Sequence, residues 1–220
     1  MEFLSASWWS ALLAIVVIDL VLAGDNAIVI ALAARRLPPR LRNRAIAWGT
    51  VGAVVVRSAM TVGVVWLLRV PGLMLIGGLG LLWIAYRLLV ADARDAQHEN
   101  ADSFWGAMRT IVVADALMGI DNVLGVAGAA HGSFVLVMVG LALSVPIVVF
   151  GSTMVLRLVE RFPVVIQLGA AVLAYTAAQM IAGEALLQPW LPEGPARWML
   201  HALAVAAVLG AGWWRTRARA

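Results

Sequence analysis

Long runs of apolar residues alternate with short polar breaks along the whole chain. Seven runs approach or exceed the roughly 20 residues that a bilayer-crossing helix needs. They cover 8–34, 45–69, 71–90, 105–130, 133–156, 163–187 and 196–214. The breaks fall at Pro38-Pro39, Pro71, His131-Gly132-Ser133, Pro163 and the stretch from Pro189 to Pro195. This pattern predicts an all-α polytopic membrane protein with seven transmembrane helices. The 71–90 run is short and rich in glycine, with Gly77, Gly78 and Gly80.

Seven spans would put four arginine-bearing segments on one side. These are the 35–44 loop, the 91–104 loop with Arg87 beside it and Arg94 within, the turn carrying Arg157 and Arg161, and the tail with Arg215, Arg217 and Arg219. The other side keeps only Arg69 and Arg197. Basic loops stay in the cytoplasm, so the N-terminus is expected outside and the C-terminus inside. The tryptophans agree: Trp8, Trp9, Trp48, Trp66, Trp105, Trp190, Trp198, Trp213 and Trp214 fall near span ends, as an interfacial belt should. No basic residue precedes the first run, which therefore reads as a span and not as a cleaved signal.

Composition supports the bilayer as solvent. The chain of 220 residues is 63% hydrophobic and 13% charged, with a mean hydropathy of +0.95, whereas about a quarter of a soluble chain is charged. Cysteine is absent, which excludes disulfides, thiolate metal sites and cysteine catalysis. The net charge of +4 could suit nucleic acid, but the arginines cluster in short loops, so no nucleic-acid partner is expected. Asp92, Asp95, His98, Glu99 and Asp102 of the 91–104 loop could bind a cation weakly, but the loop reads first as a solvated linker between two halves.

Residues 11–36 and 107–132 align without gaps at an offset of 96 and agree at 10 of 26 positions. Alanines and valines could match through composition alone. Asp19/Asp115, Asp25/Asp121 and Asn26/Asn122 could not easily do so, because these runs hold so few polar residues. Three spans separate the copies, so the second would cross in the opposite direction, the plan of many secondary transporters. The expected organisation is a first three-helix repeat at 1–90, a cytoplasmic linker at 91–104, a second, inverted three-helix repeat at 105–188, and a seventh helix with a basic cytoplasmic tail at 189–220. Pro71 with Gly77 resembles Pro163 with Gly169, in keeping with three spans per unit.

The four aspartates straddle the middles of their spans. An ionised carboxylate there costs at least roughly 2.5–3.5 kcal/mol, so each needs a partner inside the protein. On a continuous helix Asn26 would lie about 20° from Asp19, and Asp25 about 120° from it. A break near Ala23-Gly24 would let both acids turn to one site; Gly24 and Gly119 make such a distortion cheap. Carboxylates, side-chain amides and freed carbonyls are hard oxygen donors that suit Mg²⁺, Ca²⁺ or Mn²⁺. The candidate metal ligands are Asp19, Asp25, Asn26, Asp115, Asp121 and Asn122, with Arg57 as a counter-ion and Gly24, Gly119 and Thr153 in supporting positions. Thr153 is the repeat equivalent of Arg57 at the same offset. An empty acid cluster would keep some protons, which offers a route to proton exchange. Ser144, Pro146 and Ser152 could line a path or serve ordinary packing; Glu184 reads as interfacial.

VIDLVLAGDNAIVIALAARRLP at 17–38, with DALMGIDNVLGVAGAAHG at 115–132, resembles the TerC family of integral membrane proteins, in the form of its YjbE-like branch. The resemblance runs through essentially the whole chain. It implies a LysE-superfamily type of exporter in a bacterial inner membrane, with Mn²⁺ as the exported substrate, no enzymatic activity and no permanently bound cofactor. The partners it implies are the lipid bilayer, a divalent metal ion and protons. Readings from other classes are an intramembrane enzyme using paired aspartates, and an accessory membrane subunit of tellurium-resistance or envelope-stress type.

Overall fold

A computed structural model describes residues 5–63, 70–90, 101–130, 133–191 and 194–217, with side chains throughout except at 21–23, 101–103, 121, 124, 125, 127 and 216. The described residues form seven helices and no strand: α1 Ala6–Ala34, α2 Pro39–Val62, α3 Leu73–Val90, α4 Ala101–Ala129, α5 Phe134–Arg161, α6 Val164–Gly183 and α7 Pro195–Arg217. Five of them, α2, α3, α5, α6 and α7, are long and apolar enough to cross a membrane, and α1 makes a sixth when its two bent halves are taken as one span. The side-chain distribution is that of a membrane protein. Phe150 is 74% exposed and Met154 67%, while Asp19 and Arg57 are buried at 2% and 3%.

Several helices extend past their apolar runs. α2 starts at Pro39, not near residue 45, because proline is pre-organised for the first helical turn, and the arginine-rich turns that follow are good helix formers. It ends at the C-cap Gly63, and the rest of the expected run, 64–69, lies outside the described residues. α5 runs on to Arg161 for a similar reason. α4 begins at Ala101, so 101–104 belongs to that helix and not to the expected linker; the rest of the acidic loop, at 91–100, lies outside the described residues. So do Trp66, Arg69, His131 and Arg219, and the Asp102 side chain. Trp8 departs from the interfacial belt: it is 6% exposed and turns inward with Leu12 and Leu136. Trp9, Trp48, Trp105, Trp190, Trp198, Trp213 and Trp214 are exposed.

The main pairings are α1 with α5, α2 with α4, α3 with α6, α1 with α4, and α2 with α5. α3 also touches α4, as α6 touches α1. Exchanging α1–α3 for α4–α6 leaves these pairings unchanged, whereas the lighter α1–α2 and α5–α6 contacts have no counterpart of similar weight. α7 stands outside it, against α6 and α3. Small residues allow the close approach, since helices in lipid associate through packing more than through a hydrophobic drive. A Cβ added at Gly77 of α3 would meet Ile120 of α4 and Met180 of α6; one added at Gly169 of α6 would stand 2.6 Å from Ile28 of α1.

Candidate functional site

The bundle centre is built around one arginine. Arg57, on the buried face of α2 with Thr50, Ser58 and Thr61, sends Nη1 to Asp19 Oδ1 on α1 and Nη2 to Asp115 Oδ1 on α4. A single planar guanidinium therefore ties the equivalent acids of the two motif copies. Gly119 lies beside it: a Cβ there would come 3.7 Å from Arg57 Nε. Ser144 Oγ on α5 lies against Asp19 Oδ2 and also 2.8 Å from the Leu141 carbonyl. It has one proton and can donate to only one of them at a time; the carboxylate is the stronger acceptor. Four helices thus meet at one ionic cluster.

The cluster is not fully satisfied. Asp115 Oδ2, Arg57 Nε, Asn26 Oδ1, Thr50 Oγ1 and Ser58 Oγ are buried without a hydrogen-bond partner among the described residues. Two carboxylates face one guanidinium, so with both ionised the triad holds one negative charge in excess. Buried charge of that kind is costly unless paired.

The Asp-Asn end of the first motif sits at a distortion. α1 is bent by 49° between Ala6–Leu20 and Gly24–Ala34, the place where the glycine was expected to loosen the helix. Gly24 is open, with nothing within 4 Å of an added Cβ. Asp25 Oδ1 accepts from the Asn26 N–H at 2.9 Å. Asp25 is within electrostatic reach of Arg57 and Asp115, and Thr176 of α6 is close to its carboxyl group. Asn26 is 3% exposed. In the second motif Asn122 is half-buried, and the Asp121 side chain lies outside the described residues. Secondary structure is continuous in both motif helices, Ala6–Ala34 and Ala101–Ala129, so α1 is bent but not interrupted, and the break expected in α4 is not seen. No group of three or more acids and histidines able to hold a metal ion occurs among the described residues. Thr153 lines a groove between α2 and α5, and its hydroxyl donates to the Val149 carbonyl at 2.8 Å.

One buried carboxylate has a role that its interfacial position did not suggest. Glu184, just past α6, is 4% exposed. Its Oε1 accepts from the N–H groups of Gly72 (3.1 Å) and Leu186 (3.4 Å), and its Oε2 from those of Met74 (3.2 Å) and Leu75 (3.3 Å). It caps the N-terminus of α3 from another helix. Burial raises the Glu184 pKa, but the four backbone donors outweigh it and hold the carboxyl below its ordinary value. The available signal was indirect: Val70-Pro71-Gly72 supplies no Ser, Thr, Asp or Asn to cap α3 locally.

Comparison with known proteins decides the family. The model of the TerC family of integral membrane proteins matches residues 4–220. The chain belongs to the TerC family. It is 44% identical over 201 residues to the membrane protein YjbE of Bacillus subtilis (strain 168), covering 90% of this chain and 92% of that one. It is 26% identical to the inner membrane protein YgdQ of Escherichia coli (strain K12), over 79% of this chain and 80% of that one. YegH of the same strain is 27% identical over 80% of this chain, but only 37% of YegH is covered. No solved structure matches the chain. This TerC-family protein is thus a multi-pass integral membrane protein.

Proposed function

We propose that this TerC-family protein is a secondary transporter that exports a divalent metal cation, with Mn²⁺ as its substrate, from the bacterial cytoplasm. The observation that carries this reading is the buried triad, in which Arg57 bridges Asp19 and Asp115 and leaves one carboxylate charge in excess. A cation-free protein needs a cation in that position, and Arg57 supplies one from its own chain. An incoming metal ion competes with the guanidinium for the same oxygens. Asp25, Asn26, Asp121 and Asn122 complete the oxygen-rich ligand set. The unpartnered Asp115 Oδ2 and Asn26 Oδ1 are acceptors ready for it.

The excess charge also gives a place for a proton. A metal ion entering the cluster displaces protons from its carboxylates, so export is coupled to proton uptake. The heavier helix pairings, which survive exchange of the two halves, and the matching Asp-x5-Asp-Asn copies support two inverted repeats, 1–90 and 105–188, that rock against each other about a site near the bilayer midplane. In this arrangement all seven helices span, with the N-terminus outside and the arginine-rich ends in the cytoplasm of an inner-membrane protein.

Flux through reconstituted liposomes tests the reading. Wild-type protein should move Mn²⁺ with opposite proton movement, and Asp19→Asn or Asp115→Asn should move none. If wild-type vesicles carry no divalent cation under either direction of proton gradient, transport is the wrong function.

A further inference from the structure

Away from the triad, α2 and α5 leave an open groove of about 800 Å³ between them, within the roughly 300–1,000 Å³ of small-molecule sites. Asn43 and Ala47 form one wall; Pro146, Val149, Phe150, Thr153, Met154 and Arg157 form the other. Its chemistry is graded. The deep part, around Pro146 to Met154, is almost wholly apolar, and Phe150 and Met154 are among the most exposed hydrophobic side chains of the protein. The outer end carries Arg157 and Asn43. Arg40 lies one turn further out on the same face of α2 as Asn43 and Ala47. No carboxylate lines the groove.

The charges at that end are not all spoken for. Arg42 is committed: it pairs with Glu160 and donates to the carbonyls of Leu37 (2.6 Å) and Arg35 (2.9 Å). Arg40 and Arg157 have no ionic or hydrogen-bond partner among the described residues. Glu160, the neighbouring acid, is already taken by Arg42. An unpaired basic rim repels a divalent cation, so this groove is not a metal entrance. It complements an anion attached to an apolar body.

We propose that the α2–α5 groove is a binding site for one phospholipid with an anionic headgroup. Its phosphate sits between Arg157, Arg40 and the Asn43 amide, and an acyl chain lies along Ala47, Val149, Phe150 and Met154. Guanidinium groups suit phosphate by their fork of donors, and the snorkelling arginine stems reach the interface where headgroups lie. The site is independent of which ion the triad carries.

Native mass spectrometry and thermal unfolding of the full-length protein in detergent test it, with phosphatidylglycerol, phosphatidylcholine of the same acyl chains, and soluble glycerol phosphate as probes. Wild type should bind one phosphatidylglycerol at least tenfold more tightly than phosphatidylcholine, and glycerol phosphate should not raise the unfolding temperature. Arg40→Ala with Arg157→Ala should lose the preference. Ala47→Phe, which fills the groove and leaves every charge in place, should lose the bound lipid. Arg215→Ala with Arg217→Ala, an equal charge change at the far end of α7, should keep both. Persistence of the preference in either groove variant, or equal stabilisation by glycerol phosphate, overturns the proposal.

Discussion

Asp115 and Glu184 are both buried carboxylates on the second half of the chain, and the protein treats them in opposite ways. Glu184 receives three backbone N–H groups at the start of α3, which cannot leave while α3 stays folded, and a fourth from Leu186 in its own turn. Asp115 receives one side chain, Arg57, which must also serve Asp19, and its Oδ2 has no partner. A carboxylate held by fixed dipoles is an architectural part with nothing left to bind. A carboxylate sharing a mobile side chain keeps an unmet demand for positive charge. The difference separates the acid that shapes the bundle from the acid that can exchange ligands.

The strongest way to break this contrast is Arg57→Ala. It strands two buried acids, and removing one partner of a buried ion pair typically costs about 3–5 kcal/mol. Unfolding of the purified variant should show a loss of that size. Millimolar Mn²⁺ should recover part of it, because the metal takes the place of the guanidinium. A variant as stable as wild type would mean that the triad does not balance charge. Arg57→Lys should fall between the two, since an ammonium cannot bridge both carboxylates as a planar fork does.

The exchange of roles gives the next test. Glu184→Gln should cost about 1–3 kcal/mol, because it removes the charge from the acceptor of four hydrogen bonds and turns one oxygen into a donor. Mn²⁺ flux per folded molecule should survive. Asp115→Asn should do the reverse: flux is lost, while stability changes by less than in Glu184→Gln, since the change also removes the excess negative charge. If Glu184→Gln abolishes flux with the fold intact, the cap is part of the transport cycle and the contrast fails.

Acid should act on Glu184 in a defined direction. Its folded-state pKa is depressed, so its contribution is fully present above the unfolded value. That contribution is lost as pH falls from the ordinary value of 4.5 through the folded one. Over that window wild type should lose stability relative to Glu184→Gln, and the gap between them should narrow. Equal slopes for the two proteins would remove Glu184 as the titrating cap.

Much of this was legible in the sequence, for a physical reason. Bilayer spans need long apolar runs, so the helices announce themselves. Polar residues within them are so rare that Asp19, Arg57 and Asp115 stand out individually. Helix ends were less legible, as at α2, because an arginine-rich turn such as Arg40 to Arg44 breaks the hydropathy without breaking the helix. The bridging by Arg57 was out of reach: Asp19 and Asp115 are equal candidates in one dimension, and only the α1–α2–α4 packing brings both to one guanidinium. Glu184 was harder still. Its partners are backbone N–H groups, three of them 112, 110 and 109 residues away, and backbone groups leave no signature in residue type.

The smallest expected change bears on how the first motif presents its acids. Gly24 is exposed, follows the bend of α1 and has nothing within 4 Å of an added Cβ. Alanine therefore fits, and should favour helix by roughly 0.5–1 kcal/mol. An architectural glycine would respond with a slightly more stable protein and unchanged flux. If the bend is what turns Asp25 toward the cluster while Asp19 keeps Arg57, Gly24→Ala should slow Mn²⁺ flux severalfold as the unfolding temperature rises by a few degrees. The same substitution at Gly119 in α4, where the added Cβ would make only an ordinary van der Waals contact with Arg57 at 3.7 Å, should leave both helix geometry and the guanidinium in place. A slower Gly24→Ala beside a near-normal Gly119→Ala would locate the flexible element in α1. Equal effects at both glycines would make the two motif copies move alike.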